Sequence, residues 1–139
     1  MPRTVDDLLA EARARYERIH AVLAAAERDV GALIVDLRPS ELRRAHGEVP
    51  GAIPIGLNVL EWRLDPASPW RIPEIDDHDR RVILVCQEGY SSSLAVARLL
   101  DLGITRATDV IDGVDGWRSA GLPLEPFDPA RGPRDREEA

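Results

Sequence analysis

The strongest constraint on the fold is a pair of short apolar runs. Ala32-Leu33-Ile34-Val35 and Arg81-Val82-Ile83-Leu84-Val85 are each closed by polar residues and each followed by a segment with helical character. Runs of about four to eight residues with no alternating polar position read as strands covered on both faces. Parallel neighbours in such a sheet need crossover connections, and the helical segments supply them. The chain therefore reads as α/β, with helices on both faces of a mainly parallel sheet.

The remaining elements fit that frame. Thr4 and Asp7 form a helix-start signal before Val5, Leu8, Leu9, Ala12 and Tyr16, which recur at helical spacing. This predicts an N-terminal helical region over residues 1–17, with the helix itself at 5–17. Residues 18–20 read as a short edge strand and 22–29 as a helix closed by Gly31. Ser40 opens a brief helix to Ala45, 52–55 is a short strand, and 58–63 is a helical turn. Residues 65–79 are acidic and Pro-rich and read as a surface connection. Ser91-Ser92-Ser93 opens an apolar helix through Leu102, with Ser91 and Ser92 as its caps. A strand at 107–111 and a last helix after D-G-V-D-G-W complete the fold, with Trp117 and Leu122 as core contacts of that helix. This makes five candidate strands. The main domain spans residues 18–126, and the Pro-rich, charged segment 127–139 reads as a flexible tail.

Composition removes whole classes of function. With 139 residues, one domain with its own core is expected. The formal net charge of −7 argues against a nucleic-acid clamp or a polybasic membrane surface. All 18 basic residues are Arg, which excludes Schiff-base and P-loop lysine chemistry. A single cysteine excludes an internal disulfide, a CxxC redox pair and a Cys-rich zinc site. His20, His46 and His78 show no ligand spacing, so neither metal nor cofactor is expected. The first residues carry no apolar signal-peptide core, and no run is long enough to span a bilayer, so a cytoplasmic protein is expected.

Cys86 follows directly on the clearest strand. In parallel sheets, ligands bind beyond the carboxyl ends of the strands. The loop Gln87-Glu88-Gly89-Tyr90 then meets a helix start, where inward-facing N–H groups and the positive end of the helix dipole favour an anion on sulfur. Gly89 supplies the backbone freedom that a tight loop needs. Asp36 and Arg38, at the end of the first core strand, are expected to orient the loop by an ion pair or hydrogen bonds.

The segment C-Q-E-G-Y-S-S at 86–92 resembles the active-site loop of rhodanese-family sulfurtransferases. Three further segments resemble that family in the same order: V-D-L-R-P at 35–39, G-E-V-P-G-A-I-P-I at 47–55 and D-G-V-D-G-W-R-S-A-G-L-P-L at 112–124. The resemblance implies a rhodanese-like fold with a five-stranded sheet. It implies Cys86 as the nucleophile that carries a sulfane sulfur as a persulfide to a thiol or cyanide acceptor. Gln87, Glu88, Gly89, Tyr90, Ser91 and Ser92 would bind that persulfide, supported by Asp36 and Arg38. The partners expected are a small-molecule or protein sulfur donor and an external thiol acceptor.

Two departures stand out. Glu48 replaces the family's histidine in G-H-I-P-G-A, and the loop lacks the cation that many members carry. Glu88 in that loop makes thiosulfate an expected poor donor. Related phosphatases place Arg six positions after the cysteine, where this chain has Ser92, so phosphate transfer is not expected. The alternative to an enzyme is a catalytically weak rhodanese-like module that binds a partner through the Cys86 pocket and the loop bearing Trp62 and Trp70.

Overall fold

The computed structural model describes residues 2–136. Its helices are α1 (Val5–Arg13), α2 (Ala21–Asp29), α3 (Ser40–His46), α4 (Leu60–Leu64), α5 (Ser91–Asp101) and α6 (Gly113–Ser119). Its strands are β1 (Leu33–Asp36), β2 (Ile53–Pro54), β3 (Val82–Val85) and β4 (Ala107–Asp109). They form one parallel sheet in the order β2-β1-β3-β4.

Strand alternation divides the core in two. Leu33, Val35, Val82 and Leu84 point to one face, where they meet Leu60, Leu64, Ile72, Ile75, Val96 and Leu99. Ile34, Ile83 and Val85 point to the other, against Ala21, Ala24, Val49, Val110, Val114 and Trp117. Both faces of β1 and β3 are thus covered, which is why these strands read as unbroken apolar runs. Trp117 lies in the core and its indole N–H donates to Pro123 O at 2.9 Å. Leu122 packs partly buried against the same cluster.

The sheet has four strands where five were expected. The missing strand is the 18–20 edge, of which only Ile19 pairs, in a parallel bridge to Val110. Ile19 N–H donates to Asp109 O and its carbonyl accepts from Ile111 N–H. The reason is spatial: α2 begins at Ala21, so the segment leaves the sheet edge before a second pair forms. The N-terminal helix is likewise shorter than its apolar spacing suggests and ends at Arg13. Its start is as read, with Thr4 and Asp7 making a reciprocal capping box.

The segment read as a tail is described up to Arg136, and residues 137–139 lie outside the described residues. Arg44 stacks over Phe127 at 4.3 Å, Asp128 N–H donates to Glu48, and Arg134 N–H donates to Pro54 O at 2.7 Å. Arg63, only 4% exposed, donates to the carbonyls of Trp70, Arg134 and Arg136. Glu74 pairs with Arg134.

Glu48 occupies the departure from the family motif and is buried. Its carboxylate pairs with Arg43 at 2.8 Å and with Arg131 at 3.4 Å. Burial acts to raise its pKa, but the Arg43 hydrogen bond, the Asp128 N–H and the Arg131 charge together hold it below the usual carboxylate range. The Arg134 hydrogen bond lowers Glu74 in the same sense, against a smaller effect of burial. A lowered folded pKa means that these carboxylates contribute their full stability above the unfolded glutamate value of about 4.3 and lose it as pH falls through the folded values. The melting temperature should therefore be steady from neutral pH down to about 5 and fall below about 4. Glu48→Gln leaves Arg43 buried without its counter-charge and should destabilise by about 3 kcal/mol at pH 7. Thermal melts should show the gap between variant and wild type closing as wild-type Glu48 becomes protonated.

Candidate active site

Cys86 lies one residue past β3, at the carboxyl end of the sheet, and is 6% exposed. It sits in the wall of a cavity of about 840 Å³. Leu37, Pro39, Leu42, Leu57 and Pro133 form apolar parts of that wall, and Glu88, Tyr90 and Ser91 border the same space. Among the described residues, two groups hydrogen-bond with the sulfur. Gly89 N–H donates to Sγ at 3.2 Å, and Sγ lies 3.3 Å from Ser92 Oγ.

The loop can be this tight because of two glycines. Gly89 has φ +89°, and a Cβ there would meet Asp112 N at 2.9 Å and an Arg18 nitrogen at 3.1 Å. Gly113 has φ +57°, and a Cβ would lie 2.3 Å from Cys86 O. Its bare backbone lets the first turn of α6 dock on the loop. Val114 N–H there donates to Cys86 O at 2.9 Å and Asp115 N–H to Gln87 O at 3.1 Å.

Asp36 and Arg38 lie beside the loop, both buried. They form an ion pair at 2.8 Å, and Arg38 also donates to Gln87 Oε1 at 3.0 Å and to Gly47 O at 2.8 Å. Gln87 Nε2 in turn donates to Asp115 at 2.7 Å. A chain of side-chain bonds thus runs from β1 through the loop to α6. Glu88 and Tyr90 are exposed, and Tyr90 packs under the Arg13 guanidinium, 5.8 Å from the ring centre.

The serine triplet behaves differently from the expectation. Tyr90, not a serine, occupies the N-cap of α5, and its side chain makes no capping hydrogen bond. Ser92 and Ser93 lie within the first turn and point inward. Their hydroxyls donate to Asp109 Oδ2 at 2.7 and 2.8 Å. Helical geometry places them on the buried side, where a carboxylate offers a stronger acceptor than a cap position would require.

Asp109 is the residue that sequence reasoning missed. It ends β4 with no exposed surface and accepts from Ser92, Ser93, Tyr16 OH at 2.8 Å and Arg18 Nε at 2.9 Å. Arg18 also reaches Gly89 O at 3.0 Å, and Arg13 reaches the same carbonyl at 2.7 Å. A charged residue inside the apolar strand A-T-D-V-I was the available signal. Nothing in the spacing, however, ties it to Arg13, Tyr16 and Arg18, which lie more than ninety positions away.

The chain is similar to known proteins in both sequence and fold. The Rhodanese-like domain family matches residues 20–120. A sulfurtransferase of Allochromatium vinosum is 32% identical over 93 residues, covering 66% of this chain and 77% of that one. The thiosulfate sulfurtransferase GlpE of Actinobacillus succinogenes is 32% identical over 94 residues, covering 68% and 76%. A solved structure from Rhodopseudomonas palustris, of a protein of unknown function described as a possible tyrosine phosphatase, superposes with TM-score 0.80 at 29% identity, covering 90% of this chain and 96% of that one.

The α6 docking geometry yields a test. Gly113→Ala forces a positive-φ residue with a Cβ against the Cys86 carbonyl and should cost more than about 1 kcal/mol. Urea unfolding should show that loss, while Gly121→Ala, where φ is also positive but an added Cβ would meet nothing within 4 Å among the described residues beyond its chain neighbours, should cost less.

Proposed function

The chain belongs to the rhodanese-like domain family, and on that premise we propose that it is a sulfurtransferase working through a Cys86 persulfide. The observation that carries this reading is Cys86 at the strand end, in the wall of the cavity, with the Gly89 N–H aimed at its Sγ. An anion on sulfur is stabilised by such a donor, whether thiolate or persulfide.

The reaction is two displacements on sulfur. Cys86 thiolate attacks the outer sulfur of a sulfane donor. The donor's bond to that sulfur breaks, its electron pair leaves on the departing thiolate, sulfinate or, from thiosulfate, sulfite, and Cys86–S–S⁻ remains. An acceptor thiolate then attacks the outer sulfur and leaves carrying it as a persulfide, and Cys86 returns as thiolate. No net oxidation occurs, and the chain's single cysteine makes an external acceptor necessary.

The cavity wall bears on donor choice. Arg38 and Arg43 border the space, but their guanidinium groups are engaged by Asp36 and Glu48. The exposed Glu88 and the nearby Asp135 carry negative charge into the same space. A dianion such as thiosulfate meets apolar surface and carboxylates there, whereas a donor with less charge near its sulfur loses less on entry. Ser92, where a phosphatase loop has Arg, leaves no bidentate group for a transferring phosphate.

The second reading, a partner-binding module, draws on Trp62 and Trp70, which are 57% and 56% exposed and share a smaller cavity with Asp135. Incubation with a sulfane donor followed by intact mass separates the two. The enzyme reading predicts a gain of one sulfur atom in wild type and none in Cys86→Ser. A wild-type chain that takes up no sulfur from any donor class favours the module.

Donor choice has its own test. Glu88→Gln should raise kcat/KM for thiosulfate about tenfold at low salt, since removing one unit charge near a dianion is worth a few kcal/mol at most. Glu88→Arg should raise it further, and high salt should shrink both gains. Unchanged thiosulfate kinetics in both variants would mean that Glu88 does not face the donor.

A further inference from the structure

The loop carries no cation of its own, yet two guanidiniums reach it from the chain's N-terminal segment. Arg13 and Arg18 both donate to Gly89 O, at 2.7 and 3.0 Å. Arg18 continues to Asp109, and Asp109 holds Ser92, which touches the sulfur. We propose that Arg18, Tyr16 and Asp109 are positioning residues for sulfur transfer, setting how readily Ser92 and the Gly89 N–H serve an anion on Cys86.

The argument rests on counting protons. Ser92 has one hydroxyl proton and two neighbours that want it, Asp109 Oδ2 at 2.7 Å and Sγ at 3.3 Å. In the thiol state the S–H donates to Ser92 Oγ and Ser92 donates to Asp109. When the thiol proton leaves to solvent, the sulfur becomes an acceptor. Ser92 keeps its own proton but turns it to sulfur. Asp109 tolerates that loss because Ser93, Tyr16 and two N–H groups of Arg18 still donate to it. Burial, together with the Asp109 charge and hydrogen bond, pushes the Tyr16 hydroxyl's pKa well up despite Ser93 and Arg18, so it remains a donor at neutral pH.

Charge works in the same direction. Asp109 alone would repel an anion on Cys86, because a buried carboxylate acts over several ångströms at low effective dielectric. Arg18, paired with it at 2.9 Å and only partly exposed, cancels that field. The second bond from Arg18, to Gly89 O, holds the peptide whose neighbouring N–H faces Sγ. Among the described residues, the other charged groups around the sulfur and its cavity are the Asp36–Arg38 pair at the end of β1, Arg43 from α3 with its partner Glu48, Glu88 in the loop, Arg13 from α1, Asp112 and Asp115 at the start of α6, and Asp135 from the C-terminal segment. None of these changes in the variants below.

The proposal builds on Cys86 as the sulfur carrier, but its test needs no sulfur donor. Cys86 is the one cysteine, so the iodoacetamide alkylation rate of the full chain, followed against pH, reports on a single thiol. Arg18→Gln exposes the sulfur to uncompensated Asp109 and should move the alkylation midpoint about one pH unit to the alkaline side, a tenfold slower reaction below it. Arg18→Lys keeps the charge and should recover most of that. Asp109→Asn leaves the Arg18 charge uncompensated and should move the midpoint the opposite way. A loosened loop would shift all three variants together, and that result would overturn the proposal. Should Arg18→Gln fail to melt cooperatively, Tyr16→Phe decides: it keeps the ring, deletes one donor to Asp109, and should slow alkylation about twofold, while an unchanged profile in the folded variant overturns the proposal. A wild type that alkylates in this pattern but gains no sulfur mass defeats the transfer reading and leaves the positioning role standing.

Discussion

The Asp109 carboxylate has no exposed surface, and the neighbourhood of Cys86 is arranged to satisfy it. A buried carboxylate without donors costs several kcal/mol, so the fold must bring hydrogen atoms to it. They come from two separate parts of the chain. Ser92 and Ser93 arrive with the first turn of α5, and Tyr16 and Arg18 with the segment between α1 and α2. Meeting that requirement places α1 against α5, brings a guanidinium to the Gly89 carbonyl, and leaves Ser92 in contact with the sulfur.

The loop is held from its other side by a second network of the same kind. Arg38 is buried and paired with Asp36, and two further N–H groups go to Gln87 and Gly47. Gln87 hands the connection on to Asp115. The backbone of α6 completes the frame, with two N–H groups on the Cys86 and Gln87 carbonyls. Loop atoms held by three separate elements keep their geometry without help from substrate, which is what preorganisation of an anion site requires. Both networks use arginine, whose planar fork serves a carboxylate and a carbonyl at once.

Much of the frame was legible because burial leaves a compositional trace. β1 and β3 are covered on both faces, so they contain only apolar residues until the strand ends. Cys86 was legible for a related reason: it follows the strand, and a glycine three residues later signals a loop that turns its amides inward. The serine triplet was half legible. Its place at a helix start was clear, but its partner was not, because a side chain in the first helical turn chooses between a cap and the interior according to what the interior offers. The edge strand at 18–20 was overread, since local β character says nothing about where the chain must turn to begin α2.

By itself the sequence determined the alternation of strands and helices, the two-sided burial of the sheet, the position of the nucleophile candidate at a strand end and the absence of a cation within the loop. These are local properties, carried by residues within a few positions of one another. Tertiary structure alone decided that Arg13 and Arg18 stand beside that loop, that Asp109 joins Tyr16 to Ser92, and that Pro133 and Asp135 border the cavity. The physical reason is distance along the chain. A buried charge dictates that donors must come, but only the packing of helices on a sheet decides which distant residues supply them.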